Sequence, residues 1–150
     1  SETVVREYRF LSKKYEFPLN RLCLEMTEDM SVPFERLEQH IAHLMEEGVT
    51  VVLDSYGDNV CNLQGIMKMP FRVVKISEYM VERYCQGESD VLEYQIQMLR
   101  DNGWEICLEG IEDRQHYEKV KKLGEISYLQ GKYYGGLMKP EQIHSYMEEM

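Results

Sequence analysis

The chain has 150 residues, 43% of them hydrophobic, which is enough for one domain with a real core and excludes a disordered segment. Its formal net charge of −10 excludes a nonspecific binder of nucleic acid polymers or anionic membranes, because both partners reward Lys and Arg. No apolar run approaches the ~20 residues that span a bilayer, so direct membrane insertion is not expected.

Thr3 to Tyr15 sets Val4, Val5, Tyr8, Leu11 and Tyr15 on one helical face, and Pro18 stops the helix before a first strand. That strand, Leu22-Cys23-Leu24, ends on Glu25. A second helix starts near Ser31-Val32-Pro33, keeps its period through Leu37, Ile41 and Leu44, and finds a natural C-cap in Gly48. The strand Val49 to Leu53 follows and ends on Asp54, and Val73-Val74 ends on Lys75. Glu78 to Asp90 reads as a solvated helix and loop with the alternative of a partner surface. The helix Val91 to Asp101 turns Leu92, Ile96 and Leu99 inward and stops at Asn102-Gly103. Trp104 to Leu108 is then a strand ending on Glu109, Arg114 to Leu123 a helix closed by Gly124, and Ile126 to Leu129 a strand ending on Gln130.

The repeated order is helix, glycine, apolar strand, polar residue. Strands buried on both faces of a parallel sheet read as continuous apolar runs. A Glu, Asp, Lys or Gln at the end of such a run is costly unless it serves an open cleft. Right-handed crossovers put all five strand ends on one edge of one sheet, where α/β proteins collect their ligands. An open doubly wound sheet and a barrel both satisfy this pattern, and the lack of a Gly-rich phosphate loop favours the barrel. The expected fold is α/β, a partial TIM-like (β/α) barrel of about five parallel strands with flanking helices.

Cys23, Cys61, Cys85 and Cys107 show no C-x-x-C spacing, and two of them lie within predicted strands, where a thiol serves as a small hydrophobe. The N-terminus has no signal-peptide core. A reduced, cytoplasmic setting is expected, with room for a membrane anchor elsewhere in a parent protein.

Leu24-Glu25-Met26-Thr27-Glu28, Leu53-Asp54-Ser55-Tyr56-Gly57, Val74-Lys75-Ile76-Ser77, Leu108-Glu109-Gly110-Ile111-Glu112 and Leu129-Gln130-Gly131 follow one another in a fixed order. Together they resemble the later motifs of the EAL-domain family, the metal-dependent phosphodiesterases that open cyclic di-GMP. The resemblance implies metal ligands at Glu25, Asp54 and Glu109, and catalytic roles at Lys75, beside the attacking water, and at Glu109. It implies ligand contacts at Gln130, Glu112 and Tyr134, and a loop-anchoring role for Glu28. Hydrolysing a phosphodiester needs an activated water and stabilised charge on the attacking and leaving oxygens, which two divalent ions ~3.5–4 Å apart supply together. Magnesium or manganese is the implied cofactor of an active member, since hard cations prefer carboxylate and amide oxygens. A degenerate member needs none.

Several positions depart from the family pattern. Ser55 stands for the second Asp of D-D-F-G, Ser77 for the Asp of K-I-D, and Gly136-Leu137 for an Arg-Pro pair. The loop Gly57-Asp58-Asn59-Val60-Cys61-Asn62 replaces a run of Gly and small hydroxyl residues. The E-A-L signature and the family's Asn-containing strand are absent, so residues 1–150 are expected to be one EAL-like domain fragment lacking the N-terminal strands. The resemblance with these departures implies a degenerate, catalytically inactive domain of bacterial cyclic di-GMP signalling with a regulatory or ligand- and protein-binding role. The alternative is an active phosphodiesterase when joined to its missing part. Expected partners are cyclic di-GMP, other signalling domains such as a diguanylate-cyclase-like domain, and a second copy of the chain, since exposed sheet edges seek partners.

Plainer roles compete at each position. Asp54 and Thr27 suit helix N-caps, Lys75 suits a simple ion pair with the surrounding acids, and Gln130 suits a cap of the sheet end. His40, His43, His116 and His144 read as solvated helix residues. Tyr56, Tyr133 and Tyr134 line a cleft or, as is commoner for tyrosine, pack.

Overall fold

The computed structural model describes residues 2–27, 34–58 and 66–149. Helix α1 (Glu2–Tyr15) and a 3-10 turn (Leu19–Arg21) lead into β1 (Cys23–Thr27). Then come α2 (Phe34–Glu46), β2 (Thr50–Tyr56), β3 (Val73–Ile76), α3 (Glu78–Cys85), α4 (Val91–Asp101) and β4 (Glu105–Leu108). The chain continues through α5 (Arg114–Val120), a second 3-10 turn (Lys121–Leu123), β5 (Tyr128–Leu129) and α6 (Pro140–Glu149). The start foreseen for α2 at Ser31 to Pro33 lies outside the described residues.

The five strands form one sheet in the order β1-β2-β3-β4-β5, and every pairing is parallel. Sequential parallel order, with described helices in the β1–β2, β3–β4 and β4–β5 crossovers, is the α/β arrangement that the repeated pattern predicts. Gly48 closes α2 as expected. Its φ of 87° is the left-handed value that lets Gly48 N–H and Val49 N–H reach back to Met45 O and Leu44 O at 2.9 and 3.1 Å.

Alternate side chains of each strand face opposite sides of the sheet. Val51, Leu53, Val74, Ile76, Ile106 and Leu108 join Ile41, Val81, Leu92, Ile96, Leu99, Ile111 and Val120 in one buried core beneath the helices. The other face carries Cys23, Glu25, Val52, Val73, Lys75, Cys107 and Tyr128, which line a trough of about 450 Å3. Val52, Val73 and Cys107 form a small separate cluster there, whereas Cys23 is exposed and does not serve as a core hydrophobe.

Several boundaries differ from the sequence expectation. The strand expected to end before Asp54 runs on to Tyr56, and its register against β3 shifts between Leu53 and Tyr56. Ser55 sits in that shift with φ 55°, a left-handed residue that bends the strand as a bulge does. Asp54 is therefore opposite Thr27 in the ladder and is not a helix cap. The last strand shrinks to Tyr128–Leu129, and the helix after Glu109 tightens into a 3-10 turn from Lys121. Helix α3 is not simply solvated, because Val81 and Cys85 are buried against the core.

Candidate functional site

Lys75 lies in β3 with its side chain only 6% exposed, and its ammonium stands among three acids, one each from β1, β2 and the turn after β4. Nζ lies 3.0 Å from Glu25 Oε2, 3.0 Å from Asp54 Oδ1 and 2.8 Å from Glu109 Oε1. The registers explain the convergence. Glu25 pairs with Val52, Val73 shares that rung, and Lys75 pairs with Cys107, so these side chains point to the trough face near one edge. Asp54 Oδ1 is buried and, despite this close approach, no hydrogen bond meets it among the described residues.

Burial works against the charge of Lys75, yet its contacts with Glu109, Asp54 and Glu25 win and hold the ammonium above the ordinary lysine range. Glu109 moves the other way from a typical ion-paired acid. Its burial raises it above the usual carboxylate range, helped by Asp54 and Glu25 and only partly offset by Lys75. Burial also pushes the Cys107 thiol up to about 11, so this thiol is an inert filler of the trough.

Beside the acids opens a cleft of about 730 Å3, lined by Ser55, Asp58, Glu78, Glu109, Gly110, Glu112, Gln130, Gly131 and Lys132. Gln130 faces both cleft and trough, its N–H donating to Leu108 O at 2.9 Å and its C=O accepting from Ile111 N–H at 3.0 Å. The Glu112 carboxylate pairs with the Lys132 ammonium at the rim. Tyr134 is half-buried against the core and edge-on to Tyr133, which stacks on Tyr117 with ring centroids 5.5 Å apart. Tyr56 is buried and donates to Gln95 Oε1 at 2.5 Å. Glu28 lies outside the described residues. Ser77 precedes α3 with its Oγ buried and, among the described residues, without a hydrogen-bond partner, so its side chain makes no cap bond to that helix.

His116, read from sequence as a surface residue, is instead inward-turned and contacts Glu82 through Nε2 at 3.2 Å. Lys132 was likewise missed. Neither carries a sequence signal, since a polar residue at an ordinary helix or loop position reads as solvated.

Carboxylate oxygens are the hard donors that magnesium and manganese prefer, at ~2.0–2.1 Å for magnesium. Here the three oxygens surround an ammonium at 2.8–3.0 Å. Among the described residues no group of three or more His, Cys, Asp or Glu side chains is arranged to hold a metal ion. As arranged, these donors fit Lys75 and not a divalent cation at the same point.

Among known proteins, the Escherichia coli (strain K12) oxygen sensor protein DosP is 24% identical over 136 residues, 87% of this chain and 17% of DosP. The PaMucR phosphodiesterase, solved as its c-di-GMP complex, superposes with a TM-score of 0.82 at 22% identity over 93% of this chain and 57% of its own. The Bacillus subtilis YKUI protein, with an EAL domain and solved with substrate c-di-GMP and calcium, gives 0.70 at 22% identity over 96% of this chain and 39% of its own. The chain thus spans 57% and 39% of these two solved relatives and 17% of DosP. Residues 1–136 match the profile of the EAL domain, and with its parallel sheet and acid-rich rim the chain belongs to the EAL domain family.

Proposed function

We propose that this domain serves cyclic di-GMP signalling as a regulatory, non-hydrolysing member of its family, receiving the nucleotide or a protein partner at the rim. One observation carries the reading: Lys75 is held by Glu25, Asp54 and Glu109 together, so the ammonium uses the negative charge that a catalytic metal would need. Ser55 supports it, since a hydroxyl on the bulge of β2 supplies no anion to a second cation. Binding a nucleotide asks less of a site than stabilising its transition state. Gln130, Glu112 and Lys132 around the cleft supply donors and acceptors enough for that lesser task.

The test is cyclic di-GMP incubated with the protein and magnesium or manganese, followed by chromatography, beside calorimetric titration of the same sample. We expect heat of binding without linear dinucleotide. Hydrolysis that Asp54→Ala abolishes would overturn the reading. It would establish the second one, a metal-dependent cyclic di-GMP phosphodiesterase acting within a longer parent chain, which the match of residues 1–136 to the EAL domain profile favours.

Residues 1–150 are in this proposal one part of an EAL domain in a modular protein, joined to other signalling domains. Its correspondence to 17% of an oxygen sensor protein supports that view. No helix among the described residues is long and apolar enough to cross a membrane, which suits a cytoplasmic site of action. The open trough with Val52, Val73, Cys107 and Tyr128, together with the edge strands β1 and β5, supports self-association. Light scattering at tens of micromolar protein is expected to return at least twice the 17.9 kDa chain mass. A monomer at all concentrations would refute it.

A further inference from the structure

Between Leu108, the end of β4, and Arg114, the start of α5, the chain makes a turn that carries two acids of the rim, Glu109 and Glu112. The N-terminus of α5 already has its cap, since the Asp113 side chain accepts from His116 N–H at 2.9 Å. The His116 ring is therefore not needed there. It folds back over the turn instead. Its Nδ1 lies 3.3 Å from the Glu112 N–H and 3.2 Å from Gly110 O, and its Nε2 reaches Glu82 Oε2 of α3 at 3.2 Å.

One imidazole thus spans both ends of the turn and ties it to the neighbouring helix. The other sides of the turn are closed by backbone and by an acid: Gly110 lies against Glu78, and Gly131 lies against Ile111. Lys119, one turn further along α5, donates to Cys85 O and fixes the same pair of helices. With α3 and α5 clamped together, the ring has a rigid frame from which to place the turn.

We propose that His116 is the positioning residue of the rim, setting where Glu109 and Glu112 stand in the cleft by holding the Gly110–Glu112 turn against α3. The working form is neutral. Nδ1 accepts from the Glu112 amide while Nε2–H donates to Glu82, because an Nδ1 that is already protonated has no lone pair for that amide; Gly110 O, itself an acceptor, is then a neighbour of Nδ1 and not its hydrogen-bond partner. What the placement does for a bound nucleotide rests on the function proposed above, whereas the placement itself does not.

The experiment compares the protein with His116→Leu and His116→Gln by amide hydrogen exchange of residues 110–112, and reads the ring nitrogens of the unmodified protein by 15N NMR. Leucine fills the space without a hydrogen bond, and the glutamine amide can accept from one neighbour and donate to another. We expect exchange at Glu112 to accelerate about tenfold in His116→Leu and to return within about threefold of the original in His116→Gln. The NMR signal is expected to show an unprotonated, hydrogen-bonded Nδ1. Unchanged exchange in His116→Leu, equal acceleration in both variants, or a protonated Nδ1 would each overturn the proposal. Cyclic di-GMP titration of the three proteins separates the two claims. If none binds, the nucleotide-receiving part of the function proposed above fails, and the exchange result alone decides the role of His116.

Discussion

Lys75→Met is expected to lower the stability of the domain by about 3 kcal/mol, because it leaves three neighbouring acids without their shared counter-ion. The figure sits at the low end for a broken buried pair, since Glu25 is half exposed and water screens part of the repulsion. The loss is expected to depend on pH with a definite sign. Glu109 is already raised by burial and by Asp54 and Glu25, and Lys75→Met removes the main contact that opposes that rise. A group raised in the folded state takes up its proton where the unfolded chain does not. The variant therefore gains stability as pH falls through the upper carboxylate range and loses it as pH climbs out of that range. In the unmodified protein the raised Lys75 contributes stability at every pH below the ordinary lysine range, and loses it only under strongly alkaline conditions. Urea unfolding of both proteins at pH 5 and pH 8 reads the difference. A penalty of the same size at both pH values would show that the acids do not feel one another across the rim.

Gly131→Ala carries the second large effect. A Cβ at this position would fall well inside the contact distance of Ile111 O, N and C, and backbone atoms cannot rotate aside as a side chain can. The clash lies where β5 hands the chain on to the rim. It would push apart the bonds of Gln130 N–H to Leu108 O, Ile111 N–H to Gln130 O, and Tyr133 N–H to Ile111 O, at 2.9, 3.0 and 3.0 Å. We expect a loss of about 3 kcal/mol, seen as a fall in Tm of about 10 °C. Gly136→Ala is the matched control, since nothing stands within 4 Å of its Cβ, and it is expected to stay within about 0.5 kcal/mol of the original. Equal melting of the two variants would mean that β5 does not need its close approach to the turn after β4.

The two predictions fall on different levels of the chain's legibility. Glu25, Asp54, Lys75, Glu109 and Gln130 announce themselves as polar residues that end apolar runs, and the parallel order of the sheet makes neighbours of them. Gly131 does not. A Gly after a strand reads as a turn residue, and only the packed structure reveals that Ile111 leaves no room for a side chain. His116 is similar: four residues after Glu112 on a short polar helix, it reads as solvated until the turn before it folds back beneath the ring.

Periodicity and punctuation alone settled the five strands in parallel order and the edge at which the acids gather, because these follow from local backbone preference and from which residues water rejects. Tertiary structure decided the rest. The bulge at Ser55, the depth of Lys75 and its equal reach to three carboxylates depend on strand register and twist, which set ångström distances between residues far apart in the chain. No local pattern encodes such distances, since each is the outcome of the whole sheet packing against its helices.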